Sequence, residues 1–238
     1  MKCFDDNIKL IETHEVTDVA FVKVGDGAKK LIVSFASIKH SGFERKESLL
    51  NLRCTRNNEI DILYMRNIGR WYLGGLNGIG KNITHTIAFL KKEFAKYENV
   101  VCTGISMGGY ASILFGSVCN ATSVVASMPQ TDLDYAIAMC QPNENDLDNQ
   151  DMRKCQIKEP ALASFGKSKV ITFKSYETYK NLRTVINDTT QYYIYPKRDK
   201  FPNLHGLHHY TNISKFDNVT KVLTQTKCDK LLFGGSLI

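Results

Sequence analysis

A chain of 238 residues, 43% of them hydrophobic, is long enough for one sizeable core and short for two ordinary domains, so a single domain over 1–238 is expected. Its net charge of +7 gathers late, with 15 basic against 6 acidic side chains in residues 152–238. Those lysines and arginines are spread along the segment instead of clustering on one helix or among aromatics, which argues against nucleic-acid binding; they read as a solvated face, with steering of an anionic substrate as the alternative.

Taken in chain order, residues 8–11 and 18–24 read as two strands. The second runs through Gly25-Asp26-Gly27 as the turn into a third, 31–36, giving an antiparallel start. That third stretch is almost continuously apolar, as expected of a strand covered on both faces. A polar loop follows at 37–43 and holds Ser37 and His40. Residues 59–66 make another strand, and the glycine-rich bend 71–80 lacks the Gly-Lys-Ser/Thr ending of a phosphate loop. Ile87, Leu90, Phe94 and Tyr97 then share one face of a helix.

Next comes Val100-Val101-Cys102, a short apolar strand run, leading into Gly104-Ile105-Ser106-Met107-Gly108, behind which Ala111, Leu114, Phe115 and Val118 recur at helical spacing. Strand, sharp turn, helix is the context in which Gly-x-Ser-x-Gly carries chemistry. The serine sits at a strained junction with its hydroxyl lifted clear of the sheet, and the next N–H, that of Met107, opens a helix whose dipole favours a developing anion. Beyond it, 122–128 is a strand and 135–166 an irregular, acidic stretch read as an inserted lid or cap. Strands at 169–173, 191–195 and 219–223 and helices at 176–186 and near 230–233 complete the expected elements. Strands alternating with helices imply an α/β fold with a mostly parallel sheet covered on both faces, which places Ser106 at the carboxyl end of a central strand.

Residues 1–10 carry Asp5, Asp6 and two lysines, unlike a secretion signal, and no run approaches the roughly 18 apolar residues of a membrane span. Seven cysteines without C-x-x-C spacing point to reduced thiols in a cytoplasmic protein, with neither a zinc site nor a disulfide framework.

The heptapeptide Gly104-Ile105-Ser106-Met107-Gly108-Gly109-Tyr110 resembles the nucleophile turn of the α/β-hydrolase superfamily, and the strand order carries that resemblance over most of the chain. The overall pattern also resembles small esterase-like hydrolases found among surface-polysaccharide genes. The resemblance implies a three-layer sandwich with antiparallel N-terminal strands, Ser106 as nucleophile, and an oxyanion hole from the backbone N–H groups of Met107 and Ser37. It further implies an acid after the penultimate strand and a histidine after the last. Asp199 fits the acid, with Asp132 as the alternative. No histidine follows the last strand; those after the nucleophile are His205, His208 and His209, so the base is drawn from that cluster or the triad is incomplete. His14 and His85 read as structural.

The expected activity is cleavage of a carboxylic ester, an acyl or acetyl group on a glycan or other small anionic molecule, with no cofactor and no metal. A thioesterase or peptidase would use the same serine. The rival from another class is a hydrolase-fold binding protein without turnover.

Overall fold

The computed structural model describes residues 2–37, 42–67, 72–127 and 129, together with the backbone of the strands 190–195 and 219–223. The chain opens with helix α1 (Lys2–Glu15) and strand β1 (Phe21–Val24), followed by β2 (Lys30–Phe35), α2 (Lys46–Thr55) and β3 (Ile60–Met65). Then come α3 (Ile83–Phe94), β4 (Asn99–Ile105), α4 (Met107–Val118), β5 (Ser123–Ser127), β6 (Thr190–Tyr195) and β7 (Val219–Leu223).

All seven strands join one sheet in the order β1-β3-β2-β4-β5-β6-β7. Every neighbouring pair is parallel except β1 with β3. From β2 the chain moves one way to β3, then crosses back over β2 to β4 and continues outward to β5. The direction of winding therefore reverses beside β2 and β4, and in open sheets of this kind the crevice outside the carboxyl ends of such strands is where ligands bind. The register sets Phe35 opposite Gly104, which brings the residues after β2 level with those after β4.

Alternation along the strands sends side chains to two cores, making three layers. On one face Ile32, Ile62 and Val101 pack with Ile11 of α1 and Leu49, Leu50 and Leu52 of α2. On the other, Val33, Phe35 and Cys102 pack with Leu90 of α3 and Leu114 and Phe115 of α4. Phe35 stacks on Phe115 with centroids 5.6 Å apart and meets Tyr72 edge-on at 5.4 Å, pairs worth about 0.5–1.5 kcal/mol each beyond their buried area.

Three local expectations change. Residues 8–11 belong to α1 and not to a strand: Ile8 and Ile11 turn toward the core together with Phe4 while Leu10 is exposed, a helical spacing that a four-residue window conceals. The Gly25–Gly27 turn does not close a hairpin, because β3 inserts between β1 and β2; only β1 is antiparallel, so the antiparallel N-terminal strands reduce to one. Helix α2 was not among the expected elements. Its first turn is charged and its N-cap is Arg45 in the left-handed region with no side-chain cap, so no Ser, Thr, Asp or Asn marks where it begins.

The strands expected at 31–36, 59–66, 122–128, 191–195 and 219–223 are present within a residue or two of those bounds. The expected lid at 135–166, the strand at 169–173 and the helices at 176–186 and 230–233 lie outside the described residues. Among the described residues no helix is long and apolar enough to cross a membrane.

Candidate active site

Ser106 joins β4 to α4 with φ 56 and ψ −115, a backbone conformation that L-residues rarely adopt and that costs on the order of 1–3 kcal/mol. Two backbone bonds hold it there. Its N–H donates to the Ser127 carbonyl at the end of β5, 2.9 Å, and its carbonyl accepts the Tyr110 N–H, 3.0 Å. The turn is this tight because two side chains are missing. A Cβ on Gly104 would fall 2.3 Å from the Gly108 carbonyl, and a Cβ on Gly108 would fall 2.1 Å from the Phe35 carbonyl oxygen. The first turn of α4 therefore rests on the end of β2 as well as on β4, and Ser106, itself half-buried, stands beside the segment that begins at Ala36.

Met107 is fully buried, and as the first residue of α4 its N–H has no intrahelical acceptor and no side-chain cap competes for it. That is the electropositive end of the helix dipole, next to the serine. Ser37, also buried, is held differently. Its N–H donates to the Glu44 carboxylate, Oε2, at 2.6 Å.

Around this point the backbone is tied to both neighbours. The Tyr72 hydroxyl donates to the Ala36 carbonyl at 2.9 Å and lies 3.1 Å from that of Met65, bridging the ends of β2 and β3. Complete burial pushes the Tyr72 phenol well above its ordinary value, helped by the nearby Glu44 charge, which keeps it a neutral donor. Arg45 reaches under the turn, its Nη1 donating to Thr103 Oγ1 at 3.3 Å, while the Thr103 hydroxyl donates to the Val125 carbonyl at 2.9 Å. Glu44 and Tyr72 were not singled out by the sequence; Glu44 lies in a run of mixed charge, and nothing local marks Tyr72 as a bridge.

The proposed base and acid, His205, His208, His209, Asp199 and the alternative Asp132, lie outside the described residues, as does His40. His85 accepts the Lys81 N–H at Nδ1, 3.1 Å, within the start of α3, and His14 Nδ1 lies 2.8 Å from the Leu10 carbonyl one turn back in α1; both are engaged locally. Cys102, three residues after the start of β4, is buried in the core and its thiol is pushed well above the ordinary range, which leaves it inert as a nucleophile.

No protein-family model and no curated protein matches the sequence. Solved structures do match by shape. The capsule O-acetyltransferase of Neisseria meningitidis serogroup A superposes with a TM-score of 0.51 at 10% identity, over 92% of this chain and 88% of that one. An alpha/beta hydrolase enzyme from the metagenome of lagoon sediments at Mar Chica, Morocco, gives 0.47 at 12% identity, over 90% and 87%. A chain of the glycosylation-associated protein complex of Streptococcus agalactiae gives 0.49 at 14% identity over 91% of this chain, which spans 42% of it. With a parallel sheet that reverses its winding beside β2 and β4, helices on both faces and a strained serine turn leaving the central strand, the chain has the α/β-hydrolase fold.

Proposed function

We propose that the protein is a serine hydrolase that cleaves a carboxylic ester through an acyl-enzyme, and the observation that carries this reading is the backbone of Ser106, φ 56 and ψ −115, between β4 and α4. In this reading the Ser106 hydroxyl attacks the ester carbonyl while an imidazole of the 205–209 cluster, His208 or His205, takes its proton, and Asp199 orients that ring. The Met107 N–H and the Ser37 N–H stabilise the oxyanion. The proton then passes to the departing alcohol, and water, activated by the same imidazole, releases the acid and restores the serine. The basic second half of the chain favours an anionic substrate such as an acylated or acetylated glycan.

The test is ester turnover and covalent labelling by a fluorophosphonate, compared between the wild type and Ser106→Ala. Loss of turnover by a factor on the order of 10⁴ to 10⁶ with an unchanged melting temperature is the expected result; retained activity in the variant overturns it. Because the fold is also that of a capsule O-acetyltransferase, the assay offers a sugar hydroxyl beside water as acceptor. The rival reading, a binding protein without turnover, is favoured by one observation: the Ser37 N–H already donates to Glu44. A wild type that neither labels nor turns over supports that rival.

A further inference from the structure

An amide carries a single proton, so the Ser37 N–H cannot give a substrate oxyanion its full hydrogen bond while it serves Glu44. Its bond to Glu44 Oε2, 2.6 Å, is charge-assisted and short for its kind. The backbone on either side of this carboxylate is anchored. The Glu44 carbonyl accepts the Ser34 hydroxyl at 3.3 Å, the Phe43 N–H donates to Glu15 Oε1 at 2.8 Å, and Arg45, at φ 63, starts α2 with its guanidinium on Thr103. The peptide therefore stays in place, and any movement of the half-buried carboxylate would come from the Glu44 side-chain torsions alone.

Resting on the reading of Ser106 and Ser37 given above, we infer that Glu44 is a built-in inhibitory latch, its carboxylate closing the oxyanion site in the resting protein and swinging off Ser37 before acyl transfer. The latch works in two ways. It competes with the substrate oxygen for the one proton, and while seated it sets a negative charge where the transition state gathers another. A carboxylate that only braced the loop would have the opposite effect, since removing it would loosen Ser37 and slow the reaction.

Glu44→Ala removes the acceptor, and Glu44→Gln keeps a weaker acceptor without the charge. Both variants of the full chain are compared with the wild type in the rate of fluorophosphonate labelling, which puts a phosphoryl oxygen into the same hole, and in hydrolysis of p-nitrophenyl acetate. The expected result is labelling and kcat about tenfold faster in Glu44→Ala with KM little changed, and an intermediate gain in Glu44→Gln, within the 10²- to 10³-fold that one such donor is worth. If Glu44→Ala does not melt cooperatively, Glu44→Gln decides alone. Ser106-dependent labelling in the wild type with equal or slower rates in the variants overturns the latch and leaves the serine reading standing. No labelling in any of the three overturns both.

Discussion

At the amino ends of β2 and β3 the Asp61 carboxylate, 1% exposed, is saturated: the Gly27 and Ala28 N–H groups and the Tyr97 hydroxyl converge on Oδ2 at 3.1, 3.2 and 3.0 Å, and Arg53 Nη1 reaches Oδ1 at 3.1 Å. The non-glycine residues with positive φ near that end are Asn57, Asn58 and Asn120, a type that tolerates the left-handed region. At the carboxyl ends they are Arg45, Tyr72 and Ser106, which do not, and there one amide is held by a carboxylate that belongs to a neighbouring segment. A cavity of about 570 Å³ lies at the amino end, lined by Lys29, Lys30, Arg53 and Asn58 among others. Open space and backbone strain therefore lie at opposite ends of the sheet.

The sharpest way to break this contrast is Asp61→Ala. Removing a carboxylate that is paired and buried leaves the Arg53 guanidinium without its counter-charge, and a loss of about 3–5 kcal/mol in denaturant unfolding is expected, with ester turnover per folded molecule unchanged. A fall in kcat of the folded fraction would show that the two ends are coupled. Ser106→Gly is the converse. Glycine adopts φ 56 without strain, so unfolding free energy should rise by about 1 kcal/mol while turnover is lost, the signature of strain held for function. A destabilised Ser106→Gly would mean that the turn is not strained.

The smallest effect sharpens the picture near the latch. Burial alone would raise the Glu15 carboxyl, but the Lys46 ammonium at 2.7 Å and the Phe43 N–H outweigh it and hold the group below its ordinary 4.5. A carboxylate with a lowered folded value adds stability above 4.5 and loses that contribution as the pH falls through its folded value. Glu15→Gln should therefore cost under about 1 kcal/mol at neutral pH, and the gap between variant and wild type should close in acid. A gap that widened in acid would contradict the direction of the shift.

The serine turn was legible in the sequence because its demands are local: two glycines where backbones nearly touch, a strand run before and a helical face after. Val100, Val101 and Cys102 on one side and Leu114 and Phe115 on the other announce it. The pairing of β1 with β3, by contrast, is decided by segments some 40 residues apart, and nothing in the Gly25–Gly27 turn reveals it. Helix α2 escaped because its start lacks a side-chain cap and its leucines sit among charges. Glu44 escaped for a related reason: its meaning comes from the amide of Ser37, which only the folded loop brings within reach.

The Ser106 N–H bond to Ser127 has a consequence for how such a protein can change its preferences. In the proposed reaction the attacking residue is also the final rung of the β4–β5 ladder, so its main chain cannot be re-aimed without breaking that rung. Any broadening or narrowing of the accepted acyl chains must come from side chains that surround that rung, and variation in selectivity should map to the loops at the carboxyl edge and spare the rung itself.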